Sequence, residues 1–133
     1  GVLPDFLRRK ELAHPKLTEL HVVSSMHERK ARMAELADGF IALPGGMGTL
    51  EEFCEIITWA QLGLHKKPCG LLNTQHYYDP LLECVSRMAD EGFLRVEHKG
   101  LVLHNDTPEG LLEDMREFEP LRVEKWVDRK EKA

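Results

Sequence analysis

The stretch ALPGGMGTLEEFCEIITW, residues 42–59, sets Gly45, Gly46 and Gly48 between an apolar run and an acidic, then apolar, segment. Glycines that join the end of a strand to the start of a helix let an anion approach backbone N–H groups without a Cβ in the way. The unpaired amides of a first helical turn carry about half a positive charge there. The spacing is neither G-x-x-x-x-G-K-[ST] nor G-x-G-x-x-G, so a single phosphate suits this loop better than a pyrophosphate. A tight strand-to-helix turn with no ligand would use the same glycines. Glu52 also has two readings. Standing three residues after Thr49, it completes a capping box; beside a bound phosphate, it is a carboxylate for hydroxyl binding, water activation or cation stabilisation. Glu51 points about 100° away from it.

The second chemical segment is Ser25-Met26-His27-Glu28-Arg29-Lys30-Ala31-Arg32-Met33. On a helix, Met26, Met33 and Ala37 share a face, and Arg29 and Lys30 flank it within about 60° of Met33. A cation at the edge of a buried face calls for an anionic partner, although snorkelling from the core edge accounts for it too. Arg32 and Glu35 lie towards the polar side as solvated charges. His27, in the first turn, reads as a structural hydrogen bonder.

Parallel strands joined by crossover helices would position these segments. Leu20–Ser24, Gly39–Leu43, Pro68–Asn73 and Gly100–His104 are short apolar runs separated by helix-length segments. Helix starts are expected at Ser25 (with Glu28), Thr49 (with Glu52), Asp79-Pro80 and Thr107-Pro108, and a helix stop at Gly92. The strand to residue 43, the turn Pro44–Gly48 and a helix from Thr49 follow from these signals. Along that helix Leu50, Phe53, Cys54, Ile57 and Leu64 form one apolar face and Ile56 and Trp59 a second, which predicts burial on two sides and a partner subunit. Gly1-Val2-Leu3-Pro4 reads as the last part of a strand, so the expectation is a chain without the front of its fold. The charged tail, residues 119–133, is read as a short helix or a frayed end.

The whole chain bounds the possibilities. Its 133 residues, 42% hydrophobic and 31% charged, fit one ordinary domain. A formal charge of −5 and a pI near 5.8 argue against a nucleic-acid-coating protein. No apolar run reaches the roughly 20 residues of a membrane span and residues 1–25 lack a signal-peptide pattern, so no membrane partner and a cytoplasmic location are expected. Cys54, Cys69 and Cys84, odd in number and widely spaced, read as reduced core residues. Asn105-Asp106-Thr107, followed by Pro108, reads as an accidental sequon.

The segments SMHERKARMAELADGFIALPGGMGTLEE, ITWAQLGLHKKP and LLNTQHYYDPLL together closely resemble the "lonely guy" family of cytokinin riboside 5′-monophosphate phosphoribohydrolases, including its bacterial members. The motifs M-H-x-R-K and P-G-G-x-G-T-x-x-E stand intact at Met26–Lys30 and Pro44–Glu52, and the resemblance covers most of residues 1–113. It implies a three-layer, Rossmann-like α/β fold with a doubly wound parallel sheet, its larger C-terminal part here in residues 1–118. The resemblance assigns Arg29 and Glu52 as the catalytic pair. It gives substrate-binding roles to Glu11, Lys30, Gly45, Gly46, Met47, Gly48, Thr49, Glu51 and Thr58. It further implies a homodimer whose second subunit contributes to the site, and a purine riboside 5′-monophosphate as substrate. Family members carry an earlier strand and a glycine-rich turn that this sequence does not show.

Cleaving the bond between a purine and C1′ of ribose 5-phosphate passes through an oxocarbenium-like state. It calls for a phosphate anchor, a negative group near the sugar and help for the leaving base. No metal is called for, since the His and Cys residues show no ligand spacing. No cofactor is implied either: the lysine decarboxylase label that the family has carried needs a Schiff-base lysine, and Lys30 adjoins an arginine at a phosphate-sized site. Two alternatives stand beside this expectation, a broader AMP or purine nucleotide nucleosidase and a non-catalytic nucleotide-binding module.

Overall fold

The structure is a computed structural model and describes residues 1–8 and 14–121. Among the described residues five strands alternate with five helices: β1 (Val2–Pro4), α1 (Asp5–Arg8), β2 (His21–Val23), α2 (Met26–Leu36), β3 (Phe40–Ala42), α3 (Met47–Gln61), β4 (Cys69–Leu72), α4 (Asp79–Asp90), β5 (Leu103–Asn105) and α5 (Pro108–Arg116). Two 3₁₀ segments, Thr74–His76 and Val96–Leu101, lie in the connections. Every strand pair is parallel, β1 with β2 in one sheet and β3-β4-β5 in order in another. Parallel neighbours require a long crossover, usually a helix, which gives the alternation its Rossmann-like α/β character. Among the described residues no helix is long and apolar enough to cross a membrane.

The chain divides into two compact units, Gly1–Ala37 and Asp38–Ala133. In the first, α2 packs on β1 and β2, with Pro4 and Val23 buried. Ser25 caps α2, its Oγ accepting from the Glu28 N–H at 3.1 Å, as the sequence predicts. The reciprocal half of the capping box is displaced by one residue: the Glu28 carboxylate accepts from Ser24, from its N–H at 2.7 Å and its Oγ at 2.5 Å.

In the second unit, α5 packs on β4 and β5 and α3 packs on β4. Its core comprises Ala42, Phe53, Ile56, Ala60, Cys69, Leu71, Tyr78, Leu101 and Leu111. Thr107 caps α5, accepting from the Gly110 N–H at 3.2 Å, and Pro108 opens the helix. The Asn105 amide donates to Asp114 at 3.0 Å, so the side chain of the accidental sequon serves the fold. Gly92 follows the end of α4 with φ +78, the left-handed stop expected of it.

Several expectations shift. The last strand is Leu103–Asn105 rather than residues 100–104, because Gly100 and Leu101 close the 3₁₀ segment and Leu101 enters the core from there. Helix α3 starts at Met47, two residues before Thr49, with Gly46 as its N-cap. Its buried stripe is Phe53, Ile56 and Ala60, which cuts across the two expected faces: Cys54 is exposed and Leu64 is 68% exposed. Cys84 is exposed as well, so only Cys69 of the three free cysteines is a core residue. Glu11 and tail residues 122–133 lie outside the described residues.

Candidate active site

The glycine loop connects the carboxyl end of β3 to the amino end of α3. The first-turn amides of an α-helix have no intrahelical acceptor, and α3 begins on Gly46 with no side-chain cap, whereas α2 and α5 are capped by Ser25 and Thr107. The glycines divide by role. A Cβ on Gly45 would collide with the Oγ1 of Thr49, so Gly45 lets the loop fold against its own helix. A Cβ on Gly46 or Gly48 would meet nothing within 4 Å. Those two positions face open space beside the first-turn amides of α3, where an anionic oxygen can approach.

Gly45 to Thr49, Glu51 and Glu52 therefore gather at one end of the second unit, Met47 to Thr49 in the first turn of α3 and the two glutamates in the next. Met47 is 84% exposed, Glu51 is exposed and Glu52 is half-buried. Since Gly46 rather than Thr49 is the N-cap, Glu52 is not the partner of a Thr49 capping box. Thr58 is not brought to this end: it lies more than three turns along the same helix, about 18 Å from Gly46. Its hydroxyl donates to the Cys54 carbonyl at 2.8 Å. Arg29 and Lys30 are carried by α2 in the first unit, both half-buried, and Arg29 Nε donates to the Val2 carbonyl at 3.1 Å. That carbonyl partly supplies the partner that a cation at the core edge requires. The solvated pair is present, Arg32 Nη1 lying 2.7 Å from Glu35 Oε2, and His27 is exposed.

Sequence reasoning gave no role to the residues that brace the glycine loop from behind. Tyr77 donates its hydroxyl to the Gly45 carbonyl at 2.7 Å, and Tyr78 donates to the Leu43 carbonyl at 2.5 Å. The two rings meet edge-on, centroids 5.0 Å apart at 82°. Asn73, 3% exposed, fixes their backbone: its Oδ1 accepts from the Tyr78 N–H at 2.7 Å and its Nδ2 donates to Asp79 at 2.8 Å. The chain reaches this position through Gln75 (φ 53) and His76 (φ 60), two successive left-handed non-glycine residues, each of which costs about 1–3 kcal/mol. Burial pushes the Tyr78 phenol above its ordinary pKa, with the neighbouring Tyr77 adding to the rise and the backbone of Gly45 opposing it. The available signal was the Asn-Thr-Gln-His-Tyr-Tyr-Asp-Pro run, two adjacent aromatics and an Asn immediately after a strand.

A family model described as "Possible lysine decarboxylase" matches residues 1–115. The chain is 53% identical over 117 residues to the cytokinin riboside 5′-monophosphate phosphoribohydrolase of Rhodococcoides fascians, covering 87% of this chain and 59% of that protein. It is 48% identical over 120 residues to the enzyme of that name, LOG, from Oryza sativa subsp. japonica, covering 90% and 50%. With a relative of the same activity name from Arabidopsis thaliana it shares 46% over 120 residues, covering 90% and 55%. The chain thus spans about half to three-fifths of the length of these relatives. With the family model matched across most of its length and both motifs in place, the chain belongs to the lonely guy family, whose model carries the lysine decarboxylase description.

Proposed function

We propose that the full-length protein hydrolyses the N-glycosidic bond of a purine riboside 5′-monophosphate of the cytokinin type, releasing the free base and ribose 5-phosphate. The observation that carries this reading is the P-G-G-x-G-T-x-x-E stretch folded as a helix start whose N-cap is a glycine, with Gly46 and Gly48 facing open space and Glu52 one turn further on. The names of the relatives supply the substrate class.

In this reading the amides from Gly46 to Thr49 anchor the 5′-phosphate and so fix the ribose. An anchor remote from the broken bond contributes by holding the reacting centre in place. Glu52 sets a carboxylate beside the sugar, where positive charge develops as the base leaves. Arg29 positions the substrate and orients Glu52, while Lys30, Gly45, Glu51 and Glu11 complete the nucleotide site. Thr58, too far along α3 to reach its own loop, serves the site of a second copy in a homodimer. Residues 1–118 act as one nucleotide-binding domain of a cytoplasmic enzyme that engages neither nucleic acid nor membrane.

The test is to incubate the full-length protein with isopentenyladenosine monophosphate and with AMP and to assay free base and ribose 5-phosphate. Release from the prenylated nucleotide, far faster than from its unphosphorylated riboside, is expected. Equal rates on nucleotide and riboside would remove the phosphate anchor, and two intact nucleotides would leave a binding module.

A further inference from the structure

The loop's bracing goes beyond packing, because the two tyrosines hold different peptides. We infer that Tyr77 is a positioning residue for phosphate binding, holding the Gly45–Gly46 peptide so that the Gly46 N–H faces the phosphate. In a trans peptide the C=O and the following N–H point in opposite directions, and the described residues contain no cis bond. The Tyr77 hydroxyl draws the Gly45 carbonyl towards itself, so the Gly46 N–H points away from the tyrosine pair. At the N-cap position that N–H joins the amides of the first turn of α3. The Cβ direction of Gly46 is open there, leaving room for the oxygen it would bind.

Tyr78 provides the internal comparison. It holds the Leu43 carbonyl and meets the backbone of Gly45, but the residue after Leu43 is Pro44, which has no N–H to aim, and neither contact is to the Gly45 carbonyl that sets the Gly46 N–H. Tyr78, 2% exposed, is part of the core. Tyr77 is 52% exposed, so loss of its hydroxyl leaves little buried surface disturbed. The strain at Gln75 and His76 fits this division, since it is the price of presenting both phenols to one loop.

The inference rests on the proposed phosphate anchor, and the experiment separates the two. Ribose 5-phosphate binding to the full-length protein is measured by titration calorimetry for wild type, Tyr77→Phe and Tyr78→Phe, alongside kcat and KM on the nucleotide and on its unphosphorylated riboside. Tyr77→Phe is expected to weaken ribose 5-phosphate binding and raise KM for the nucleotide by about three- to tenfold, the scale of one hydrogen bond, with the riboside rate unchanged. Tyr78→Phe is expected to lower the melting temperature and keep the wild-type preference for nucleotide over riboside. Wild-type protein that binds no ribose 5-phosphate would overturn the anchor and this inference together. Wild-type binding matched by Tyr77→Phe, or an equal loss in both variants, would overturn the inference alone. A measurement needing no variant decides the case if Tyr77→Phe does not fold: the Gly46 amide proton of the wild type should move downfield as ribose 5-phosphate is added, and an unmoved Gly46 resonance overturns the inference.

Discussion

At the scale of single residues, Glu52 is relieved of the task its spacing from Thr49 suggests. Helix α3 starts on Gly46 and Met47, so a Glu52→Gln substitution removes a charge without removing a cap. The fold should survive, and turnover of the nucleotide should fall by about two or more orders of magnitude, the scale of a lost acid, base or electrostatic group. Circular dichroism melts together with product assays check both halves; retained turnover would refute the assignment. The cysteines give a second prediction at this scale. Burial pushes the Cys69 thiol up to about 12, and the reactive species is the thiolate. Under native conditions at pH 8, iodoacetamide should modify the exposed Cys54 and Cys84 and spare Cys69, which reacts once denaturant is added. Peptide mass mapping reads the difference, and early labelling of Cys69 would contradict its place in the core.

At the scale of elements, strands β2, β3 and β4 were legible because each is a short apolar run with polar or Gly/Pro boundaries on both sides. The start of α3 was not, because two signals compete there: Thr49 with Glu52 matches a capping box, yet the helix begins on a glycine that brings no side chain to cap it. The bracing loop was illegible for a different reason, since left-handed Gln75 and His76 accompany long-range hydrogen bonds from Tyr77 and Tyr78 to Gly45 and Leu43 rather than a local propensity. Where a polar cap alone decides, as at Ser25 and Thr107, sequence and structure agree. The α2 start also carries a pH dependence. Hydrogen bonds from the Ser24 side chain and then its backbone hold Glu28 below its ordinary value of 4.5. A carboxyl depressed on folding contributes stability above the ordinary value and loses it as pH falls through the folded value. The urea midpoint of wild type should therefore drop more between pH 6 and pH 3 than that of Glu28→Gln; equal drops would show that the Ser24 contacts carry no linkage.

At the scale of the whole molecule, the proposed dimer changes shape once α3 is seen. Ile56 belongs to the core of its own unit with Phe53 and Ala60, so it is not available to a partner. Trp59 remains half-buried, followed by Leu62 and Leu64 at 63% and 68% exposure, an apolar end of the helix beside Thr58. Aromatic residues in such positions often carry much of the energy of an interface. Replacing Trp59 with Glu in the full-length protein places a charge where the partner would pack, and burying it unpaired is costly. If Thr58 serves the opposite site, dissociation must also lower activity, although residues 45–52 are untouched. Sedimentation velocity at micromolar concentration, run beside the nucleotide assay, tests the coupling. A dimeric wild type and a Trp59→Glu variant that shifts towards monomer while losing turnover are expected; a monomeric wild type, or a fully active dimeric variant, would mean that Trp59 is covered within its own chain and that Thr58 has no part in the site.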